Sequence, residues 1–134
     1  GSYGENIASD FLINNGYNIL DMNYRNRYGE IDIICRKNGL IIFCEVKSRY
    51  TNSFGNPIES VTYYKQKQII KLSQIYLLYK KYHNYNVRYD IIEVIFNNKN
   101  ASFKLNHIKD AFRSYLLIFL FISFIIINLN YYNY

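Results

Sequence analysis

The chain has 134 residues, of which half are apolar and 19% are charged, the ordinary balance of one globular domain. Sixteen lysines and arginines against ten aspartates and glutamates give a formal net charge of +6, which favours nucleic acid or an anionic membrane surface as partner. The two cysteines, Cys35 and Cys44, are too few for a disulfide scaffold or a zinc site. We expect them to be buried, reduced thiols. Because the sequence shows no secretory signal, we expect a cytoplasmic domain.

Apolar spacing and turn residues predict seven elements. In chain order they are a helix over 4–15, strands over 17–24, 31–35 and 40–47, a helix over 60–82, a strand over 87–96 and a short strand over 103–105. Gly16 lies where the C-terminal cap of the first helix belongs. Residues 25–29 and 97–100 are predicted turns, and residues 50–58 a loop. The order α-β-β-β-α-β-β indicates an α/β domain with one mixed sheet flanked by helices.

The strongest local signal is Asn38-Gly39, which lies between two strand-like segments and is typical of a two-residue β-hairpin turn. Unless a β-bulge interrupts the hairpin, this turn places Asp32 opposite Glu45 and Glu30 opposite Lys47. Side chains alternate between the two faces of a strand. One face of the hairpin is therefore apolar and is the expected core face: Ile31, Ile33, Cys35, Ile42, Cys44 and Val46.

Asp32, Glu45 and Lys47 share the other face of this predicted hairpin. Two carboxylates directly opposed on a sheet repel each other, so a shared proton, a nearby lysine or a bound cation must offset the repulsion. Carboxylate oxygens suit Mg²⁺ or Mn²⁺. Lys47 is placed to position an attacking water or to stabilise charge on a phosphate. The alternative is a solvated strand edge on which Glu45 and Lys47 form an exposed ion pair.

A longer set of spaced residues resembles a known family. Asp32, followed after a short hairpin by Glu45-Val46-Lys47, is similar to the signature of PD-(D/E)xK nucleases. The fuller pattern resembles the YraN family, small endonuclease-like proteins related to archaeal Holliday-junction resolvases. The residues that carry the resemblance are Gly4-Glu5, Ala8, Asn23-Tyr24-Arg25, residues 29–34, residues 43–49, Phe54-Gly55, Pro57, Val61, Lys65, residues 88–92, His107-Ile108 and Ala111-Phe112.

The resemblance implies a restriction-endonuclease-like core. In it, Asp32, Glu45 and the carbonyl of Val46 hold Mg²⁺ or Mn²⁺, and Lys47 lies beside the attacking water. Such a metal lowers the pKa of its water and neutralises charge on the phosphate. The resemblance also implies that Glu5, in the first helix, reaches the same metal. The alternative for Glu5 is a carboxylate that complements the helix macrodipole.

The expected function is therefore a metal-dependent endonuclease that hydrolyses phosphodiester bonds in DNA, including branched or structured DNA. The alternative is a non-catalytic nucleic-acid-binding module that retains the nuclease fold. Arg25, Arg27 and Arg49 lie near the acidic end of the hairpin and are candidate phosphate contacts. Lys65, with Lys67 and Lys71 on the same predicted helix, is a candidate to extend that surface. The alternative is that these basic residues are solvated surface charges. Glu30 is a candidate to orient Lys47.

Residues 1–112 are the predicted endonuclease-like domain, and residues 113–134 are an apolar tail outside the resemblance. The apolar run over 116–127 is too short for a bilayer span, which takes about 17–25 residues. A membrane-interface anchor, a helix that covers an apolar surface, a dimer-forming segment and a tail from an altered reading frame stay open. DNA is the expected partner, with a homodimer and membrane association of the tail as further alternatives.

Overall fold

The computed structural model describes residues 2–51, 61–114 and 125–130. In chain order the elements are α1 (Tyr3–Asn14), β1 (Asn18–Asn26), β2 (Gly29–Lys37), β3 (Leu40–Thr51), α2 (Tyr63–Lys80), β4 (Asn86–Asn97) and β5 (Phe103–Phe112). The predicted order of helices and strands is confirmed. Of the predicted loop over 50–58, Tyr50 and Thr51 belong to β3, and the remainder lies outside the described residues.

The five strands form one mixed sheet in the order β1-β2-β3-β4-β5. Antiparallel pairing joins β1 to β2, β2 to β3 and β4 to β5, whereas β3 and β4 run parallel. The parallel pair requires a crossover connection, and α2 lies within it. The predicted fold class, a mixed sheet flanked by helices consistent with a restriction-endonuclease-like fold, is confirmed.

The β2–β3 hairpin turns at Asn38-Gly39, as predicted. Asn38 has a φ of 50° and Gly39 a φ of 74°, so both central residues have the positive φ that a type I′ turn requires. The register from the turn is also as predicted, and it runs from the pair Lys37–Leu40 to the pair Ile33–Cys44. The turn therefore determines which residues of β2 and β3 meet at the far end of the hairpin.

Both faces of the sheet are buried, which corrects the single core face expected for the hairpin. The cluster on the α1 side contains Ala8, Leu12, Tyr17, Ile33, Cys35, Ile42, Cys44, Ile92, Val94 and Phe96. The cluster on the α2 side contains Ile34, Ile41, Phe43, Ile69, Leu72 and Tyr76, among others. Ile31 belongs to this second cluster and not, as predicted, to the face of Ile33. The β2–β3 pairing ends at Ile33–Cys44, so β3 does not constrain the pleat at Ile31.

Side-chain caps define where α1 and α2 begin. Ser2 caps α1 and forms a capping box with Glu5, in which each side chain bonds to the backbone N–H of the other residue. The Thr62 hydroxyl accepts a hydrogen bond from the Lys65 N–H and starts α2 at Tyr63, later than the predicted residue 60. Among residues 2–51, 61–114 and 125–130, no helix is long and apolar enough to cross a membrane. Most of the apolar run over 116–127 lies outside the described residues.

The last strand extends to Phe112, well beyond the predicted 103–105, because a buried carboxylate holds its continuation on β4. The Asp90 carboxylate accepts two hydrogen bonds of 2.8 Å from the Arg88 guanidinium and contacts His107 Nε2 at 2.7 Å. It also accepts the Asp110 N–H at 3.0 Å, where β5 bulges and Asp110 has a φ of 54°. Burial alone would raise the pKa of Asp90, but hydrogen bonds from His107, Arg88 and the Asp110 N–H lower it below its ordinary value.

We expect Asp90→Asn to lower the free energy of unfolding at pH 7 by about 3 kcal/mol, because it breaks a buried charge pair and leaves the Arg88 guanidinium without its anion. Since the pKa of Asp90 is lowered on folding, its ionised form stabilises the protein above the ordinary aspartate pKa. That stabilisation is lost as the pH falls through the lowered value. Urea denaturation from pH 7 to pH 3 should show that the difference in free energy of unfolding between wild type and Asp90→Asn becomes smaller at low pH. Asp110→Asn, which keeps the backbone N–H, is the control, and an equal loss in both variants would contradict this role of Asp90.

Candidate functional site

Asp32 and Glu45 lie side by side where the β2–β3 pairing stops. Beyond the pair Ile33–Cys44, the Val46 N–H donates to Asp32 Oδ2 at 2.8 Å. The side chain of Asp32 thus takes a backbone donor that a continued ladder would have used. Both acids are only 6% exposed. The hairpin therefore brings two carboxylates together at the buried end of the sheet, directly beyond the last pair of its register.

Two lysines neutralise part of this negative charge. Lys47 Nζ lies 3.9 Å from Glu45 Oε1, and Lys65 Nζ, from the first turn of α2, lies 3.8 Å from the same oxygen. Both distances exceed that of a hydrogen bond. Glu45 Oε2 is buried and has no hydrogen-bond partner in the described part of the chain. A buried carboxylate oxygen without a partner is costly, so a proton or a cation at this oxygen would stabilise the site.

The surroundings of the two acids favour their protonated forms. Burial raises the pKa of Glu45 to about 7, the charge of Asp32 adds to the rise, and Lys65 and Lys47 work against it. Burial also raises the pKa of Asp32, although the hydrogen bond from the Val46 N–H opposes that rise and the charge of Glu5 adds to it. A cation beside the pair would counter this effect, because it favours the ionised carboxylates.

Glu5 reaches this site electrostatically through the packing of α1. Gly4, buried at the start of α1, lies so close to β3 that a Cβ there would overlap Ser48 Oγ. This close approach places the Glu5 charge within range of Asp32. The Glu5 carboxylate also belongs to the capping box of α1. Whether Glu5 binds a metal stays a prediction.

The ligand set for a metal is small. Across residues 2–51, 61–114 and 125–130, no three His, Cys, Asp or Glu side chains converge on one point. A divalent cation at Asp32 and Glu45 would complete its shell with the Val46 carbonyl, water and substrate oxygens, which is the pattern Mg²⁺ accepts. The partnerless Glu45 Oε2 fits such a cation.

Of the predicted phosphate contacts, Lys65 lies beside the two acids. The three arginines contact other side chains. Arg25 Nε pairs with Glu30 at 2.6 Å on the surface. Glu30 therefore contacts Arg25 across β1–β2 and not Lys47, which corrects its expected role; the β2–β3 pairing ends before it. Arg27 donates to the Tyr28 hydroxyl at 2.6 Å. Phosphate binding by Arg25 and Arg27 stays a prediction.

Glu93 is a buried acid near the site that the sequence reasoning missed. It lies on β4 opposite Lys47, is 1% exposed, and contacts the Arg49 guanidinium at 3.4 Å. Arg49, predicted as a phosphate contact, is thus held beside a buried carboxylate. The sequence signal was available, because Glu93 is a lone acid inside the apolar strand Ile91-Ile92-Glu93-Val94-Ile95.

The mixed sheet with α1 and α2 packed on its two faces is an α/β domain consistent with a restriction-endonuclease-like fold. The chain matches the model of a family described as "Uncharacterised protein family UPF0102" over residues 4–94, and it belongs to that family. The resemblance to the YraN family is confirmed to that extent.

The chain is similar to relatives from several clostridia, each described as a UPF0102 protein. The relative from Clostridium botulinum strain Alaska E43 is 54% identical over 114 residues, which cover 85% of this chain and 93% of the relative. That from Clostridium beijerinckii is 55% identical over 113 residues, covering 84% and 92%. That from Clostridium tetani is 50% identical over 113 residues, covering 84% and 93%. The family description states no activity.

Replacing Glu45 by glutamine should stabilise the metal-free protein at pH 8. Folding raises the pKa of Glu45 to about 7. The folded state therefore binds the proton more tightly than the unfolded chain, and stability falls as the pH rises from the ordinary glutamate value to about 7. Glu45→Gln removes that loss, so we expect a gain on the order of 1–3 kcal/mol at pH 8 and little change at pH 4.

Urea denaturation in the presence of a chelator measures this difference at the two pH values. Glu30→Gln is the matched control, since it removes a surface ion pair whose contribution is below about 1 kcal/mol. A Glu45→Gln effect of the same size and sign at pH 4 and pH 8 would count against the buried acid pair.

Proposed function

We propose that this protein is a nuclease that hydrolyses phosphodiester bonds in DNA with the help of Mg²⁺ or Mn²⁺. The observation that carries the proposal is the buried, interacting pair of Asp32 and Glu45, with Glu45 Oε2 lacking a partner among the described residues. When bound there, a divalent cation supplies neutralising charge and a water of lowered pKa. Asp32, Glu45 and the Val46 carbonyl would hold it.

Lys47 and Lys65 are placed to act on the attacking water and the phosphate. Both ammonium groups lie within 4 Å of Glu45 Oε1, and both side chains are more exposed than the acid they neutralise. They therefore reach toward the solvent from which a phosphate would arrive. Lys47 would donate a hydrogen bond to the attacking water or to a phosphate oxygen, and Lys65 would add positive charge as the phosphate gains negative charge.

Because side chains alternate between the two faces of β3, the tripeptide Glu45-Val46-Lys47 contributes two side chains and a backbone group to the site. Glu45 and Lys47 share a face, and the backbone of Val46 lies between them. The Val46 N–H orients Asp32, while the Val46 side chain packs against the α1-side core. The backbone that fixes Asp32 is thus itself anchored by apolar packing, which is the rigid support a catalytic constellation needs.

The test separates cation binding from cleavage. Calorimetry with Mn²⁺ alone should show binding to wild type, at least 10-fold weaker binding to Asp32→Asn and Glu45→Gln, and nearly unchanged binding to Lys47→Met. Cleavage of plasmid, single-stranded and junction DNA should fall by roughly 100-fold or more in all three variants, because Lys47 acts on the water or phosphate and not on the cation.

Glu30→Gln is the matched control and should retain both properties, since Glu30 pairs with Arg25 on the surface. Equal cleavage by wild type, Glu45→Gln and Lys47→Met would identify a contaminating nuclease and sink the proposal. Salt-dependent DNA binding without turnover, and without Mn²⁺ affinity that depends on Asp32, would instead indicate a non-catalytic binding module.

A further inference from the structure

Helix α2 carries positive charge only. Its 18 residues include four lysines, at positions 65, 67, 71 and 80, and neither aspartate nor glutamate. A surface helix without a preferred partner usually mixes charges of both signs, so that neighbouring turns support each other. Exposed tyrosines lie next to these lysines at both ends of the helix: Tyr63 and Tyr64, which is 77% exposed, precede Lys65, and Tyr79 precedes Lys80. A helix with this composition suits a polyanion that also offers aromatic groups.

A cleft forms where this helix meets the turn between β1 and β2. It has a volume of about 250 Å³ and is lined by Tyr28, Tyr64, Lys67, Gln68 and Lys71. Lys71 Nζ lies 4.0 Å from the centre of the Tyr28 ring. Among the described residues, those that line the cleft include no carboxylate. The cleft thus combines aromatic walls with ammonium groups.

A hydrogen bond joins the β1–β2 turn to α2 at one side of the cleft. The Gln68 side-chain amide donates to the Tyr28 carbonyl at 2.7 Å. Gly29 allows this contact, because it has a φ of 140° and a Cβ there would lie 2.5 Å from Gln68 Nε2. Gln68 is also one helical turn beyond Lys65, about 5 Å along the axis. The cleft therefore adjoins the lysine that contacts Glu45.

We propose that this cleft binds an unpaired DNA nucleotide beside the acid pair, with its base against Tyr64 and its phosphates on Lys67 and Lys71. Lysines bind phosphates of any sequence, and aromatic rings stack on any base whose face is exposed. In a duplex the base faces are covered, so exposed rings in a concave cleft favour an unpaired strand over a double helix. The inference rests on the proposed function, since it names the kind of DNA that the acid pair would act on.

Matched variants on the same helix test the cleft. Tyr64→Ala removes its exposed ring, and Tyr79→Ala removes a ring that is 82% exposed but lies about four turns further along α2. Lys67→Gln and Lys80→Gln each remove one positive charge. Fluorescence anisotropy in the presence of a chelator would compare labelled single-stranded DNA with a duplex of the same length.

We expect wild type to prefer the single strand and Tyr64→Ala to weaken that binding by roughly 10-fold. Tyr79→Ala and Lys80→Gln should bind like wild type. Lys67→Gln should reduce the slope of log affinity against log salt concentration by about 0.7, one phosphate contact on a single strand. Equal effects of Tyr64→Ala and Tyr79→Ala, or equal wild-type affinity for duplex and single strand, would overturn the proposal. So would binding to anionic vesicles but not to DNA.

The chelator makes this test independent of cleavage. If Tyr64 is needed for single-strand binding but no DNA is cut under any metal condition, the proposed nuclease fails and the binding cleft stands. If DNA is cut and Tyr64→Ala binds the single strand normally, the cleft fails and the nuclease stands. Circular dichroism of each variant, whose altered side chains lie on the surface of α2, verifies that the fold is retained.

Discussion

The repulsion between Asp32 and Glu45 is the constraint on which the rest of the site depends. Two carboxylates buried side by side are tolerated where donors and cations surround them or where a proton neutralises one of them. Here the backbone of Val46 supplies the donor, and Lys47 and Lys65 supply the cations. These groups come from β3 and from α2, which covers one face of the sheet. The site thus exists only when the hairpin and the crossover helix are packed together.

The parts of the fold that follow from short-range rules were predictable. Asn38 and Gly39 accept positive φ, the turn sets the register, and the register brings the two acids together. The same rules misplaced Ile31 and Glu30. Alternation assumes that pairing continues, but the Asp32 side chain takes the Val46 N–H and the β2–β3 ladder ends there. That competition between side chain and backbone is not visible in a hydrophobic pattern.

Contacts between distant parts of the chain were the ones that sequence reasoning could not supply. Lys65 meets Glu45 because α2 crosses over the sheet, and Glu93 meets Arg49 because β3 and β4 run parallel in one register. The length of β5 depends on Asp90 accepting the Asp110 N–H. Each of these pairs is set by tertiary packing, for which a single sequence without pairing information gives no rule.

Burial also determines which charged side chains an approaching polyanion contacts. Asp32 and Glu45 are almost wholly covered, whereas the lysines of α2 line its surface. Because burial raises their pKa values, the acids carry less negative charge toward a phosphate backbone than exposed carboxylates would, and the lysines attract it. A surface that only bound nucleic acid would gain nothing from two buried acids, which cost stability through their raised pKa values. That cost is what favours a chemical role for the pair over simple binding.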